Sequence, residues 1–454
     1  MQNYTIDGYD LQKSFTVILG NQMLYLNCPL PNIIMIVNAN QKEGPPLEKV
    51  KTKAKKTGLP KISGASVKQY IRETDKWLLL FTVAASIYGI LLVFSATYAN
   101  RGESVIPRDA LVMMLAFCIG IVACMIISSI DYEIMARLWI LVGIGCVLLM
   151  VITLLFGEAL NPDRPDARSW LNFGPISFQP SELVKVGFIL TFSVHLDLVK
   201  EEINRIKNVV LLCIHGAIPV LLVMLTGDDG SALIFMLIFA CMMFAAGLHW
   251  GYFAAAFACL LVGIPILWYT GFIIDDHQKA WILALIHPEE YALNEAYQQN
   301  HGIVAIGSGE LTGKGYMAGN YTQNDLVPES QNDMIFTVAG EELGFIGAAA
   351  VVLVLALIIL KIILNGKRAK DMTGYLICMG TAAMIASQAV LNIGMCLRVL
   401  PVIGITLPFF SAGGSSNVCV YLAIGMAMSV YRFNQKRPAV DFRLSRIATA
   451  FSEK

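Results

Sequence analysis

Apolar runs long enough to cross a bilayer recur along the chain, separated by short polar segments. A membrane-spanning helix needs about 20 mostly apolar residues. By that measure the pattern predicts ten spans, at about 77–98, 110–130, 137–156, 182–199, 208–226, 231–248, 251–270, 338–363, 373–397 and 415–431. The fourth departs most from the pattern, because it carries Glu182, Lys185, His195 and Asp197. The longest polar interruption, 271–337, separates the seventh and eighth spans. The expected fold class is an all-α polytopic membrane protein with a long extracellular loop between those two helices.

The first 76 residues follow a different pattern. FTVIL (15–19) and QMLYL (22–26) flank a Gly-Asn pair and predict a β-hairpin, to which NIIMIV (32–37) offers a third strand. Residues 42–76 gather lysines with Pro and Gly and read as a basic linker near anionic headgroups. The expected organisation is a small appendage at 1–41, the linker at 42–76, a membrane domain at 77–432 and a basic tail at 433–454.

Composition agrees. Of 454 residues, 56% are hydrophobic and 15% charged, against about 25% charged in soluble domains. A formal net charge of zero excludes nucleic acid as a main partner. The ten cysteines are scattered without a CxxC pair and read as small core side chains. The N-terminus lacks a basic start followed by an apolar core, so no cleaved signal peptide is expected. Lys and Arg concentrate before the first span, after the fourth and eighth, and in the tail. With ten spans these segments share one face, which places both termini in the cytoplasm and 271–337 outside.

Three polar stretches fall on the outward face. In RPDARSWLNFGPISFQPSELVK (164–185), Pro180 and Ser181 suggest a helix start with Ser181 as cap. Glu182 and Lys185, three apart, share one helix face. Either charge alone would cost about 2.5–3.5 kcal/mol in the membrane, so pairing or a wet cavity is required. Arg168 and Trp170 suit a membrane interface. The second stretch, 271–333, includes HPEEYALNEAYQ (287–298) and GSGELTGKG (307–315). Its apolar anchors suggest folding back along the membrane, and its flexible glycines beside Lys314 suit approach to a diphosphate, although no Walker A spacing is present. The third, LRVLPVIGITLPFFSAGGSSN (397–417), has Pro and Gly that break helix where backbone must be buried or line a cavity. Arg398 is its natural anion ligand.

Together these stretches resemble the SEDS family (shape, elongation, division and sporulation), which includes RodA, FtsW and SpoVE. The first resemblance rests on Arg168, Trp170, Gln179, Pro180, Ser181, Glu182 and Lys185. The second rests on Tyr297-Gln298, AIGSG (305–309), GKG (313–315), Asp333 to Phe336 and GEELG (340–344). The third rests on NIGM (392–395), LPVIGITLPF (400–409) and SAGGSS (411–416), which includes Ser415. The resemblance covers about 77–432. It implies a ten-helix enzyme of the bacterial cytoplasmic membrane that polymerises lipid II into peptidoglycan glycan strands and releases undecaprenyl diphosphate. It also implies a class B penicillin-binding transpeptidase as partner, and a divalent cation (Mg or Mn) in some members. Residues carried over as substrate-binding are Arg168, Trp170, Glu182, Lys185, Tyr297, Gln298, Lys314, Asp333, Arg398 and Ser415.

One position departs from the family. Its catalytic aspartate belongs to a DPxGxGYQ pattern before AIGSG, and ungapped counting places Tyr291 there, with Glu295 inside the pattern. A phenol, with a reference pKa of about 10, is a poor base at neutral pH. Glu290, one residue earlier, is the candidate base, with Glu289 beside it. Two other readings stay open: a SEDS-like scaffold with weakened catalysis, motivated by Tyr291, and a transporter (flippase) for lipid-linked precursors.

Overall fold

A computed structural model describes residues 16–19, 22–25, 34–37, 72–99, 105–159, 167–174, 176–270, 276–291 and 296–436. The Gly20–Asn21 pair, the linker as far as residue 71, Glu295 and the tail beyond Lys436 lie outside them. The chain divides into two compact units, Met1–Ile62 and Ser63–Lys454.

The first unit holds a three-stranded sheet of β1 (Thr16–Leu19), β2 (Gln22–Tyr25) and β3 (Ile34–Val37), in the order β2-β1-β3. β1 and β2 pair antiparallel, with Leu19 opposite Gln22, as the hairpin pattern predicts. β3 does join the sheet, but parallel to β1.

In the second unit, α1 (Lys76–Tyr98), α2 (Arg108–Ser129) and the short α3 (Tyr132–Arg137) lead to α4 (Trp139–Phe156). A small hairpin of β4 (Leu171–Phe173) and β5 (Ile176–Phe178) precedes α5 (Pro180–Val199), α6 (Ile206–Leu225), α7 (Asp229–Ala245) and α8 (Trp250–Thr270). The segment after α8 contains α9 (Asp276–Ile286), α10 (Tyr297–Ser308) and α11 (Asn320–Gln323). Three long helices finish the unit: α12 (Ile335–Lys367), α13 (Met372–Cys396) and α14 (Gly414–Lys436).

Seven of these helices (α1, α2, α4, α6, α8, α12 and α13) are long and apolar enough to cross a membrane. The protein is a multi-pass membrane protein. The other three expected spans coincide with α5, which carries Glu182, Lys185 and Asp197, with the 17-residue α7, and with α14, which opens on Gly-Ser-Ser-Asn.

Helix α13 is the most enclosed, with 78% of its apolar window buried, against none for α8. Where α13 passes α5 and α7, Gly380 meets Ile189 and Met242. Gly120 of α2 abuts the Tyr421 ring of α14, and Gly425 of α14 abuts Ile127 and Cys124 of α2. Small residues at such contacts let helices approach where lipid supplies no hydrophobic drive. At the other end of α1, Asp75 accepts the Trp77 and Leu78 N–H groups, pairs with Lys361 at 3.2 Å, and accepts from Asn365 at 2.8 Å. That residue thereby ties α1 to α12.

Helix α12 is broken at Gly344, where φ is 66° and ψ is −163°. The amides freed by the break are not left bare. Phe345 and Ile346 N–H donate to the Glu310 and Leu311 carbonyls at 2.9 and 3.2 Å. The segment after α10 is therefore fastened to the kink.

Candidate functional site

The first stretch is built as a hairpin leading into a helix. Trp170 forms an antiparallel bridge with Glu158, and Asn172 Nδ2 donates to Glu158 Oε2 at 2.7 Å. Arg168 is exposed just before it. The expectation of Ser181 as helix cap is corrected. Gln179 is the N-cap and Pro180 takes the first helical position, where its missing N–H costs nothing. Ser181 is thereby carried into the helix, and its hydroxyl instead donates to Asp228 Oδ2 at 3.0 Å. Gln179 Nε2 donates to the same oxygen at 2.7 Å. One turn on, Lys185 Nζ lies 2.8 Å from Glu182 Oε1, as their spacing predicts, with the lysine side chain fully buried.

In the second stretch, α9 gives way to a turn. The Glu290 N–H closes a turn on the His287 carbonyl, and Ala296 N–H returns to the Tyr291 carbonyl at 3.1 Å. Glu289 and Glu290 are exposed, and Tyr291 is half-buried. Tyr297 starts α10, with its ring 4.1 Å from that of His301. Gln298 Nε2 donates to the Pro328 carbonyl at 2.9 Å and to Asp333 Oδ1 at 3.3 Å. Gln299 Nε2 donates to the Met395 and Leu400 carbonyls at 2.9 and 2.7 Å. Asp333 is buried, and desolvation, then the Glu329 charge, pushes its carboxyl up to about 7. Its own N–H and Gln298 pull the other way.

The third stretch touches both others. Ser415 Oγ accepts from the Gln179 N–H at 3.4 Å, and Ser416 Oγ donates to Glu182 Oε2 at 3.3 Å. On its other side, Ala412 N–H donates to the Gln331 carbonyl at 2.9 Å. Asn392, at the end of α13, donates to the Asp333 and Ile405 carbonyls at 2.6 and 2.7 Å. The broken backbone of 397–413 is thus a bridge with its polar groups met by side chains, including Leu407 N–H by Ser411 Oγ at 2.7 Å. Arg398 is half-buried and holds a left-handed φ of 56°. The structure therefore gathers Glu182, Lys185 and Ser415 on one side of this bridge, and Gln298 and Asp333 on the other. Arg168, Lys314 and Arg398 lie on three different segments.

Two of the glycines of 307–315, Gly309 and Gly313, serve close packing, while Gly307 faces open space. A Cβ on Gly309 would fall 1.9 Å from the Gly340 carbonyl oxygen. One on Gly313, where φ is 85°, would fall 2.1 Å from that of Glu342. Reasoning from sequence also passed over Asp228, which anchors Gln179, Ser181 and the Ser231 N–H. An acid at the mouth of an apolar run was the available signal. Among the described residues no three His, Cys, Asp or Glu side chains converge as a metal-ligand set.

The sequence profile of the FtsW/RodA/SpoVE family of cell cycle proteins matches residues 76–436. This chain belongs to that family. The match begins with the first residue of α1 and ends with the last of α14, so the β unit stands outside it. Over 363 residues this SEDS-family chain is 29% identical to the peptidoglycan glycosyltransferase MrdB of Escherichia coli (strain K12), covering 79% of this chain and 93% of MrdB. It is 30% identical over 375 residues to a probable peptidoglycan glycosyltransferase FtsW of Geobacter metallireducens, covering 79% and 95%. Stage V sporulation protein E of Bacillus subtilis is 28% identical over 372 residues, covering 80% and 98%. Two solved structures share the fold. One is a peptidoglycan synthase complex that coordinates polymerization and crosslinking (TM-score 0.69, 23% identity, 80% of this chain and 99% of that one). The other is the rod shape determining protein RodA of Thermus thermophilus (TM-score 0.59, 24% identity, 80% and 98%).

Proposed function

We propose that this chain is a peptidoglycan glycosyltransferase that polymerises lipid II into glycan strands on the outer face of the cytoplasmic membrane. The observation that carries the reading is the family match over 76–436, with relatives named as glycosyltransferases. The lysine- and arginine-rich segments support cytoplasmic termini and an outward 271–337. A class B penicillin-binding transpeptidase is the proposed partner, supported by the likeness to a complex that joins polymerization to crosslinking.

In the proposed reaction a sugar hydroxyl of one lipid II attacks the anomeric carbon of the growing chain. The C–O bond to undecaprenyl diphosphate breaks as the new glycosidic bond forms, and the hydroxyl proton passes to a carboxylate base. Glu290 is assigned that role, with Glu289 beside it, because both are exposed next to Tyr291. Inversion requires the base on the face opposite the leaving group. Negative charge grows on the departing diphosphate and needs cations at that point. Arg168 and Lys314 are exposed and Arg398 is half-buried, so these three are assigned to the diphosphate. Lys185, already paired with Glu182 and fully enclosed, is assigned to holding α5 in place rather than to the diphosphate.

Purified protein with its transpeptidase, given lipid II, should produce glycan strands resolvable on a gel. No strands from any active-partner preparation would overturn the reading. Exchange of lipid II across vesicles without polymer would favour transport instead.

A further inference from the structure

Two adjacent acids remain that the proposed reaction does not use. Glu341 and Glu342, in the first turns of α12, are both 0% exposed. Glu341 Oε1 accepts the Tyr321 N–H at 2.8 Å, and its Oε2 accepts the Thr322 N–H and hydroxyl at 2.9 and 2.7 Å. Glu342 Oε2 accepts the Ser95 hydroxyl at 2.5 Å and the Met317 N–H at 3.0 Å, and its Oε1 accepts Gln323 Nε2 at 2.9 Å. Every one of these groups is a neutral donor, and all but Ser95 lie between residues 317 and 323.

The main chain of the same two residues continues the pattern. Their carbonyls accept the N–H groups of Lys314 and Gly315, both at 3.0 Å. Gly319 sits so close that a Cβ would fall 2.7 Å from Glu341 Oε2. The Tyr316 hydroxyl donates to the Leu91 carbonyl of α1 at 2.8 Å. Segment 313–323 is therefore wrapped around two carboxylates and pinned to α1. Its donors already occupy both oxygens of each acid, so these groups hold protein rather than a cation. An all-donor surrounding calls for a carboxylate: an amide would turn its own N–H groups toward donors.

We propose that Glu341 and Glu342 are positioning residues for the transfer reaction, holding the 313–323 turn so that Lys314 is presented to the diphosphate of the lipid-linked donor. The inference rests on the polymerase reading and on Lys314 as a diphosphate ligand. Lys314 is exposed while its backbone N–H is fixed, so the clamp sets the point from which its side chain reaches out. The same clamp reaches α10, whose end at Gly309 packs on the Gly340 carbonyl and whose start carries Gln298.

The test is a double-mutant cycle on full-length protein with its transpeptidase and lipid II. Glu342→Gln and Lys314→Ala should each raise KM for lipid II, by about tenfold, and the double variant should be no worse than Lys314→Ala alone. Hydrogen exchange on Glu341→Gln should rise at the Tyr321 and Thr322 amides while α13 stays protected. Should Glu342→Gln fail to fold, Ser95→Ala, which removes one donor and leaves the acid, should show a smaller KM rise with the same non-additivity. Multiplicative losses, or unchanged KM in Glu342→Gln or a folded Ser95→Ala, would overturn the positioning role. A wild type that makes no strands would instead overturn the polymerase reading.

Discussion

Lys185 has none of its side chain exposed, and its Nζ lies 2.8 Å from Glu182 Oε1. Breaking a buried pair from one side leaves the other charge uncompensated, at a cost of about 3–5 kcal/mol. Lys185→Ala should therefore lower the apparent melting temperature in detergent sharply, and Glu182→Gln/Lys185→Met should recover most of the loss. Equal melting of the single and double variants would contradict the pairing. Asp333 gives a pH signature. Its folded pKa of about 7 lies above the unfolded carboxylate value, so between about pH 4 and pH 7 the folded protein holds a proton that the unfolded chain has released. Stability from this group consequently falls as pH rises through that window. Asp333→Asn keeps an acceptor for Gln298, and melting curves from pH 4 to 8 should show a flatter dependence than wild type. Residue spacing made the Glu182–Lys185 pair legible in advance. The environment of Asp333 was not, because Gln298 and Asn392, which hydrogen-bond its side chain and its carbonyl, come from distant parts of the chain.

Among the elements, Gly344 shows why a helix can break without losing stability. A left-handed φ of 66° strains any other residue, and a Cβ there would fall 2.4 Å from the Gly313 nitrogen. Gly344→Ala should destabilise by at least about 1–3 kcal/mol, read as a lower melting temperature, with proteolysis appearing first in 309–323. Apolar length located the long helices well: 77–98 was expected where Lys76–Tyr98 forms. The expected start of the eighth span at 338 misses the true start at Ile335 by one turn, while the acids of GEELG, inside the expected span, are satisfied by segment 313–323. α9, α10 and α11 were illegible. Their short sequences carry weak periodicity, and α10 is held by tertiary bonds such as Gln299 to Met395 and Leu400.

At the scale of the whole molecule, three stretches far apart in sequence meet around the break between α13 and α14: Ser415 and Ser416 at the start of α14 bind Gln179 and Glu182, Ala412 binds Gln331, and Asn392 of α13 binds Asp333. Motif order alone announced the stretches; only folding shows which one bridges. The family's shared blocks identify the reaction, while the local change at Tyr291 moves the proposed base to its neighbour. A positioned general base contributes about 10²–10⁴ in rate. The most direct measurement is therefore lipid II polymerisation by purified wild type, Glu289→Gln, Glu290→Gln and Tyr291→Phe, each with the transpeptidase. The account predicts glycan strands from wild type and Tyr291→Phe, and a loss of about a hundredfold or more in Glu290→Gln. Strand formation at the wild-type rate by both glutamate variants would contradict it.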